Sequence, residues 1–82
     1  MNKYIQEFKQ LKPYDPVQFI TAAIKNKGYD FITTAGHGYL IVPKTNKNAE
    51  VAKNIIEYGY EGALAYYLEE DCEAPEFLNK IK

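Results

Sequence analysis

The 82-residue chain has no arginine, no tryptophan, one cysteine and one histidine. Each scarcity excludes something. Arginine forks are the usual means of bidentate phosphate and base-edge recognition, so without them direct nucleic-acid binding is not expected. The lone Cys72 cannot form an intramolecular disulfide, which excludes a disulfide scaffold. One histidine and one cysteine cannot supply the four Cys/His ligands of a structural zinc site. No stretch approaches the roughly 18–20 consecutive apolar residues of a membrane span. The N-terminal segment Met1-Asn2-Lys3-Tyr4-Ile5-Gln6-Glu7-Phe8 lacks the apolar middle region of a secretory signal. With a free thiol, these features lead us to expect a cytoplasmic location and no membrane partner.

Hydrophobic residues make up 46% of the sequence, and Lys+Arg and Asp+Glu number 10 and 11. That balance excludes a disordered or collagen-like chain and fits one small domain over residues 1–82. A chain of this size buries only about 60–65% of its unfolded surface, so its margin of stability is thin. Without tryptophan, 8 Tyr and 4 Phe must fill the core. There is no room for a separate cofactor domain, and no cofactor is expected.

The near-zero net charge hides a split. Residues 1–53 hold eight Lys against Glu7, Asp15, Asp30 and Glu50, a net of about +4. Residues 54–79 hold Glu57, Glu61, Glu69, Glu70, Asp71, Glu73 and Glu76 and no base, a net of −7. Such asymmetry bears on partners rather than on fold.

The local pattern predicts an α+β fold: one β-hairpin packed against about four short helices, in the order α-α-β-β-α-α. A first helix is expected from Asn2 to Leu11, with Ile5 and Phe8 on one stripe. Asp15-Pro16 reads as the cap and first turn of a second helix, carrying Val17, Ile20 and Ile24. Lys25, Lys27 and Gly28 suit its C-terminal end. Tyr29–Thr34 and Tyr39–Val42 read as strands joined by Ala35-Gly36-His37-Gly38. A third helix is expected from about Ala49 to Tyr58. A fourth runs from about Gly62 to Asp71, with Ala63, Leu64, Tyr67 and Leu68 at helical spacing. Pro75 begins a last helical turn. An isolated hairpin is marginal in water, so helices must cover it or a further strand must come from elsewhere. A homodimer pairing hairpin edges is one such source.

Two short motifs carry the functional reading. In Gly36-His37-Gly38, histidine can move protons near neutral pH and the glycines let backbone amides approach a ligand. The plainer reading is a tight turn whose residues tolerate positive φ. The spacing is not that of a phosphate-binding P-loop. The second motif is Glu69-Glu70-Asp71-Cys72-Glu73. At the C-terminus of a helix these acids would oppose the dipole, so a partner or a function would have to account for them. Cys72 as a nucleophile with His37 as its base is disfavoured, because neighbouring acids raise a thiol pKa. The acidic run lacks EF-hand spacing, and no metal is expected. Tyr58, Tyr60, Tyr66 and Tyr67 interleave with the acids, a mixture that can imitate the charge and flat surfaces of nucleic acid.

The stretch Thr33-Thr34-Ala35-Gly36-His37-Gly38-Tyr39-Leu40-Ile41-Val42-Pro43, with Tyr58-Gly59-Tyr60 and Tyr67-Leu68-Glu69-Glu70-Asp71-Cys72, resembles a family of uncharacterised domains of phage and plasmid proteins. That family has a Thr-Ala/Pro-Ser-His-Gly-Gly turn and a downstream Tyr-Glu-Glu-Asp-Cys run. The likeness covers about residues 30–78 and departs at Gly36, where the family has Ser, and at Leu68, which parts the Tyr from Glu-Glu-Asp-Cys. It implies a mobile-element origin and proximity of His37, Asp71 and Cys72, and it supplies no activity.

The first functional expectation is therefore a non-enzymatic phage or mobile-element protein whose acidic, Tyr-rich C-terminal face binds a host protein with a basic surface. An inhibitor of a host defence nuclease, of anti-CRISPR or DNA-mimic type, is one form of it. Its expected contacts are Glu69, Glu70, Asp71, Glu73 and Tyr66. The alternative is a small enzyme or ligand-binding domain with a site of His37, Asp71 and Cys72. A homo-oligomeric structural module is a third.

Overall fold

A computed structural model describes residues 3–14, 16–21 and 28–81. The order of elements is α1 (Lys3–Leu11), β1 (Val17–Thr21), β2 (Phe31–Thr34), β3 (Gly38–Pro43), α2 (Ala49–Ile55), β4 (Tyr60–Glu61), β5 (Ala65–Glu69) and α3 (Glu73–Lys80). The strands form one antiparallel sheet in the order β1-β2-β3-β5-β4. A bulge between Val17 and Phe19 shifts the register at one edge, and the opposite edge strand is only two residues long.

Both faces of the sheet are covered. On the central strands, successive residues point to opposite faces. Leu40, Val42, Tyr66 and Leu68 pack with Ala52 of α2 and Ala74 and Phe77 of α3. Tyr39, Ile41, Ala65 and Tyr67 pack with Ile5 and Phe8 of α1. Burying a side chain such as Phe8 or Phe77 contributes roughly 1.5–3 kcal/mol. Aromatic rings supply the volume that tryptophan does not. Phe8 sits with its ring centre 5.0 Å from that of Tyr39 and 5.3 Å from that of Tyr67. On the other face, Tyr29 meets Phe77 edge-on at 5.2 Å.

This architecture overturns the expected α-α-β-β-α-α order with about four helices. Two expected helices contain strands instead. The described part of the second, Val17-Gln18-Phe19-Ile20-Thr21, is β1. Its β-branched and aromatic residues suit a pleated surface, and β2 offers an edge to pair with. Asp15, Ile24, Lys25 and Lys27, read as parts of that helix, lie outside the described residues. The expected fourth helix is the β4–β5 hairpin. Ala65-Tyr66-Tyr67-Leu68 is buried on both faces, and such a strand is uniformly apolar rather than alternating. Over four residues, a uniform run also satisfies helical spacing. Both edges of the β2–β3 hairpin are taken within the chain, by β1 and β5.

The acidic run consequently changes its relation to a helix. It does not close one. It leaves β5 and leads into α3, whose first turn contains Glu73 and Glu76. Negative charge is favoured there, so the run needs no external explanation on helix-dipole grounds. Pro75 sits in the same first turn, where no intrahelical N–H bond is lost.

Glycines mark close approach rather than turn handedness. Among the described glycines only Gly28 has positive φ, at 93°. A Cβ on Gly38 would lie 2.6 Å from Glu70 Oε2 and 2.7 Å from the Phe31 ring. A Cβ on Gly59 would overlap the Tyr67 carbonyl oxygen, whereas one on Gly36 would meet nothing within 4 Å. Gly59→Ala should therefore cost about 1–3 kcal/mol through overpacking, and Gly36→Ala should stay within about 0.5 kcal/mol of the parent. Urea denaturation of the two variants checks this; equal midpoints would contradict the backbone contact at Gly59.

Candidate functional site

The pairing of β3 with β5 determines which sequence motifs meet. Tyr39 lies opposite Glu69 and Leu40 opposite Leu68. The Glu70 N–H donates to the Gly38 carbonyl at 2.9 Å, so the ladder continues towards the hairpin tip. Extending that register sets His37 across from Asp71. The tip itself is closed by Thr34. Its N–H donates to the His37 carbonyl at 2.8 Å, and its Oγ1 accepts from the His37 N–H at 3.1 Å.

A groove of about 480 Å³ opens at this end of the sheet. His37, Lys12, Tyr39 and Tyr60 line it. Tyr58, Glu69, Asp71 and Cys72 complete it. A second depression of about 410 Å³ shares Lys12 and His37 and continues towards Leu11, Pro13 and Tyr14. The structure thus brings His37, Asp71 and Cys72 to one groove. Among the described residues no hydrogen bond joins His37 to either of the other two.

The expected contact residues divide sharply. Glu70 and Asp71 are exposed, and Glu69 is half-buried at the groove. No ion pair among the described residues involves these three. Tyr66 is only 6% exposed and belongs to the core under α2 and α3. Its accessible neighbour is Lys44, whose Nζ lies 5.2 Å from the ring centre. Glu73 is 2% exposed. Neither Tyr66 nor Glu73 is placed to touch a partner, because burial has committed both to the interior. Sequence alone did not separate them from the exposed members of the run.

Glu73 has an internal task. Its Oε2 accepts from the backbone N–H groups of Glu57, at 3.0 Å, and Tyr58. Its Oε1 accepts from Gly59 at 2.9 Å and from Glu69 at 3.3 Å. One carboxylate therefore ties the α2–β4 loop to the end of β5. Those two segments carry Tyr58, Glu69, Asp71 and Cys72 of the groove lining.

The groove's electrostatics are mixed. Lys12 Nζ lies over the Tyr60 ring at 4.9 Å and the Tyr39 ring at 5.9 Å. A hydrogen bond with Tyr60 raises the Lys12 pKa, helped by Tyr39. Desolvation, together with Glu69, Asp71 and Glu73, pushes the Cys72 thiol up. A thiol so placed is a poor nucleophile at neutral pH. Among the described residues, no group of three or more His, Cys, Asp and Glu side chains could hold a metal ion. No described helix is long and apolar enough to cross a membrane. Lys12 and Tyr39 were not singled out from sequence; Lys12 reaches the groove because α1 packs against the β3–β5 face, and Tyr39 is set there by its pairing with Glu69.

Comparison with protein-family models, with curated proteins and with solved structures finds no match.

Two outcomes follow. Glu73→Gln places an amide among backbone donors and should lose about 3 kcal/mol, lowering Tm by on the order of 15 °C. Exposed Glu76→Gln should change stability by less than about 0.5 kcal/mol. Thermal unfolding followed by circular dichroism compares them, and equal melting of the two variants would refute the clamp. Alkylation of Cys72 by iodoacetamide should show a pH midpoint above the roughly 8.5 of a free thiol; a midpoint below it would restore the case for a thiolate nucleophile.

Proposed function

We propose that this protein is a small non-enzymatic binding module of phage or mobile-element type. It docks on a basic surface of a host protein in the bacterial cytoplasm, and inhibition of a host defence nuclease is the form of activity its acidic face suits best. One observation carries the reading. Exposed Asp71 and half-buried Glu69 line one groove with a tyrosine, Tyr58, that is 64% exposed, exposed Glu70 lies between them in the chain, and no described cation pairs with those acids. Uncompensated charge at a groove mouth steers association with an oppositely charged partner. An exposed tyrosine supplies contact area at low entropic cost. The contact set is accordingly Glu69, Glu70, Asp71 and Tyr58, with Tyr66 and Glu73 acting from within.

A second reading has one observation in its favour: His37, Asp71 and Cys72 line the same groove. It makes the groove a small-ligand pocket. The raised Cys72 pKa counts against thiol catalysis there.

The first reading is tested by affinity capture from the bacterial host, followed by binding measurements on the recovered partner. The double variant Glu70→Lys/Asp71→Lys should weaken binding by tenfold or more and flatten its salt dependence. Unchanged affinity and an unchanged salt slope would sink the proposal.

A further inference from the structure

We infer that the Tyr58 end of the groove is a slot for one cationic side chain, an arginine in preference to a lysine, presented by the partner. This rests on the reading of the acidic face as a docking surface and names the anchor that enters it. The groove already shows that it accepts such a group: the chain's own Lys12 ammonium rests over Tyr60 and Tyr39. Tyr58, 64% exposed, lines the same groove. Glu69 and Asp71 line it too, with no ion-pair partner among the described residues, although Glu69 Oε1 accepts the Asp71 N–H at 3.1 Å. An aromatic face beside two carboxylates meets both needs of a guanidinium, a ring to stack on and acceptors for its planar donors. Glu73 fixes the backbone of Tyr58 and of Glu69 through one carboxylate, which removes the backbone share of the ordering cost when the anchor arrives.

The test is an amide-shift NMR titration of the whole chain with a glycine-rich nonapeptide carrying one central arginine. The comparison is the same peptide with citrulline, which has nearly the same shape and no charge. The arginine peptide should saturate, with shifts centred on residues 57–60 and 69–72, and the citrulline peptide should bind at least threefold more weakly. Tyr58→Ala should lower arginine-peptide affinity three- to tenfold, as loss of a cation–π contact of about 0.5–1.5 kcal/mol requires. Tyr58→Phe should retain it. Equal binding of the citrulline peptide, shifts centred elsewhere, or indifference to Tyr58→Ala overturns the slot. Glu70→Lys separates this inference from the one beneath it. If Glu70→Lys weakens capture of the host partner while Tyr58→Ala leaves it intact, the acidic docking surface stands and the slot falls. If neither substitution affects capture, both fall.

Discussion

Four backbone N–H groups from two separate segments converge on the Glu73 carboxylate. A buried carboxylate with no hydrogen bonds would cost several kcal/mol, and buried amides without acceptors would add to that cost. Each settles the other. The loop after α2 has no sheet or helix ladder to satisfy Glu57, Tyr58 and Gly59, and Glu73 takes that place. Because Glu73 opens α3, the same contact fixes where that helix leaves the sheet. Phe77, on the next turn, is thereby brought down onto Tyr29 and Leu68. The groove, the loop and the packing of one face all depend on this single side chain.

Glu7 plays the corresponding part on the opposite face. Its carboxylate accepts from the Leu64 N–H at 2.9 Å and from the Tyr67 hydroxyl at 2.8 Å. Tyr67 also donates to the Tyr4 carbonyl at 2.8 Å. Burial raises the pKa of this hydroxyl and its neighbour Glu7 raises it further, so it stays protonated as a donor. Glu73 and Glu7 therefore both work as internal acceptors. Glu61 is engaged by Lys44 at 2.8 Å. Of the −7 block, Glu57, Glu70, Asp71 and Glu76 remain exposed and Glu69 half-buried, and of these Glu69 and Asp71 line the groove.

The legible parts of the sequence were those with a clear local signal. Helix α1 shows its stripe through Ile5 and Phe8, and the β2–β3 hairpin announces itself by a glycine turn between β-branched runs. Strand β5 was not legible, because covering both of its faces removes the period that marks a strand, and Ala65-Tyr66-Tyr67-Leu68 lacks the β-branched residues that reveal the equally buried β3. Strand β1 was hidden by Asp15-Pro16, whose helix-start character is a local signal that sheet pairing overrode. The site was legible as residue types but not as geometry. That His37 meets Asp71 follows from the register of β3 on β5, which no local pattern encodes. Glu73 and Glu70 look alike in sequence; only the arrival of residues 57–59 makes one of them interior.

The bond between Glu7 and Tyr67 spans 60 residues of chain, and it bears on how the molecule is made. The β1–β2–β3 meander and the β4–β5 hairpin use near neighbours, but α1 packs on β5 as well as on β3, and β5 is synthesised far later. Closing so large a loop carries an entropic cost that is recovered only when the distant strand arrives. On the ribosome, α1 therefore emerges well before its packing surface is complete. Until Tyr67 clears the exit tunnel, Ile5 and Phe8 have an incomplete surface to bury against, so the nascent chain travels with an apolar helix face open.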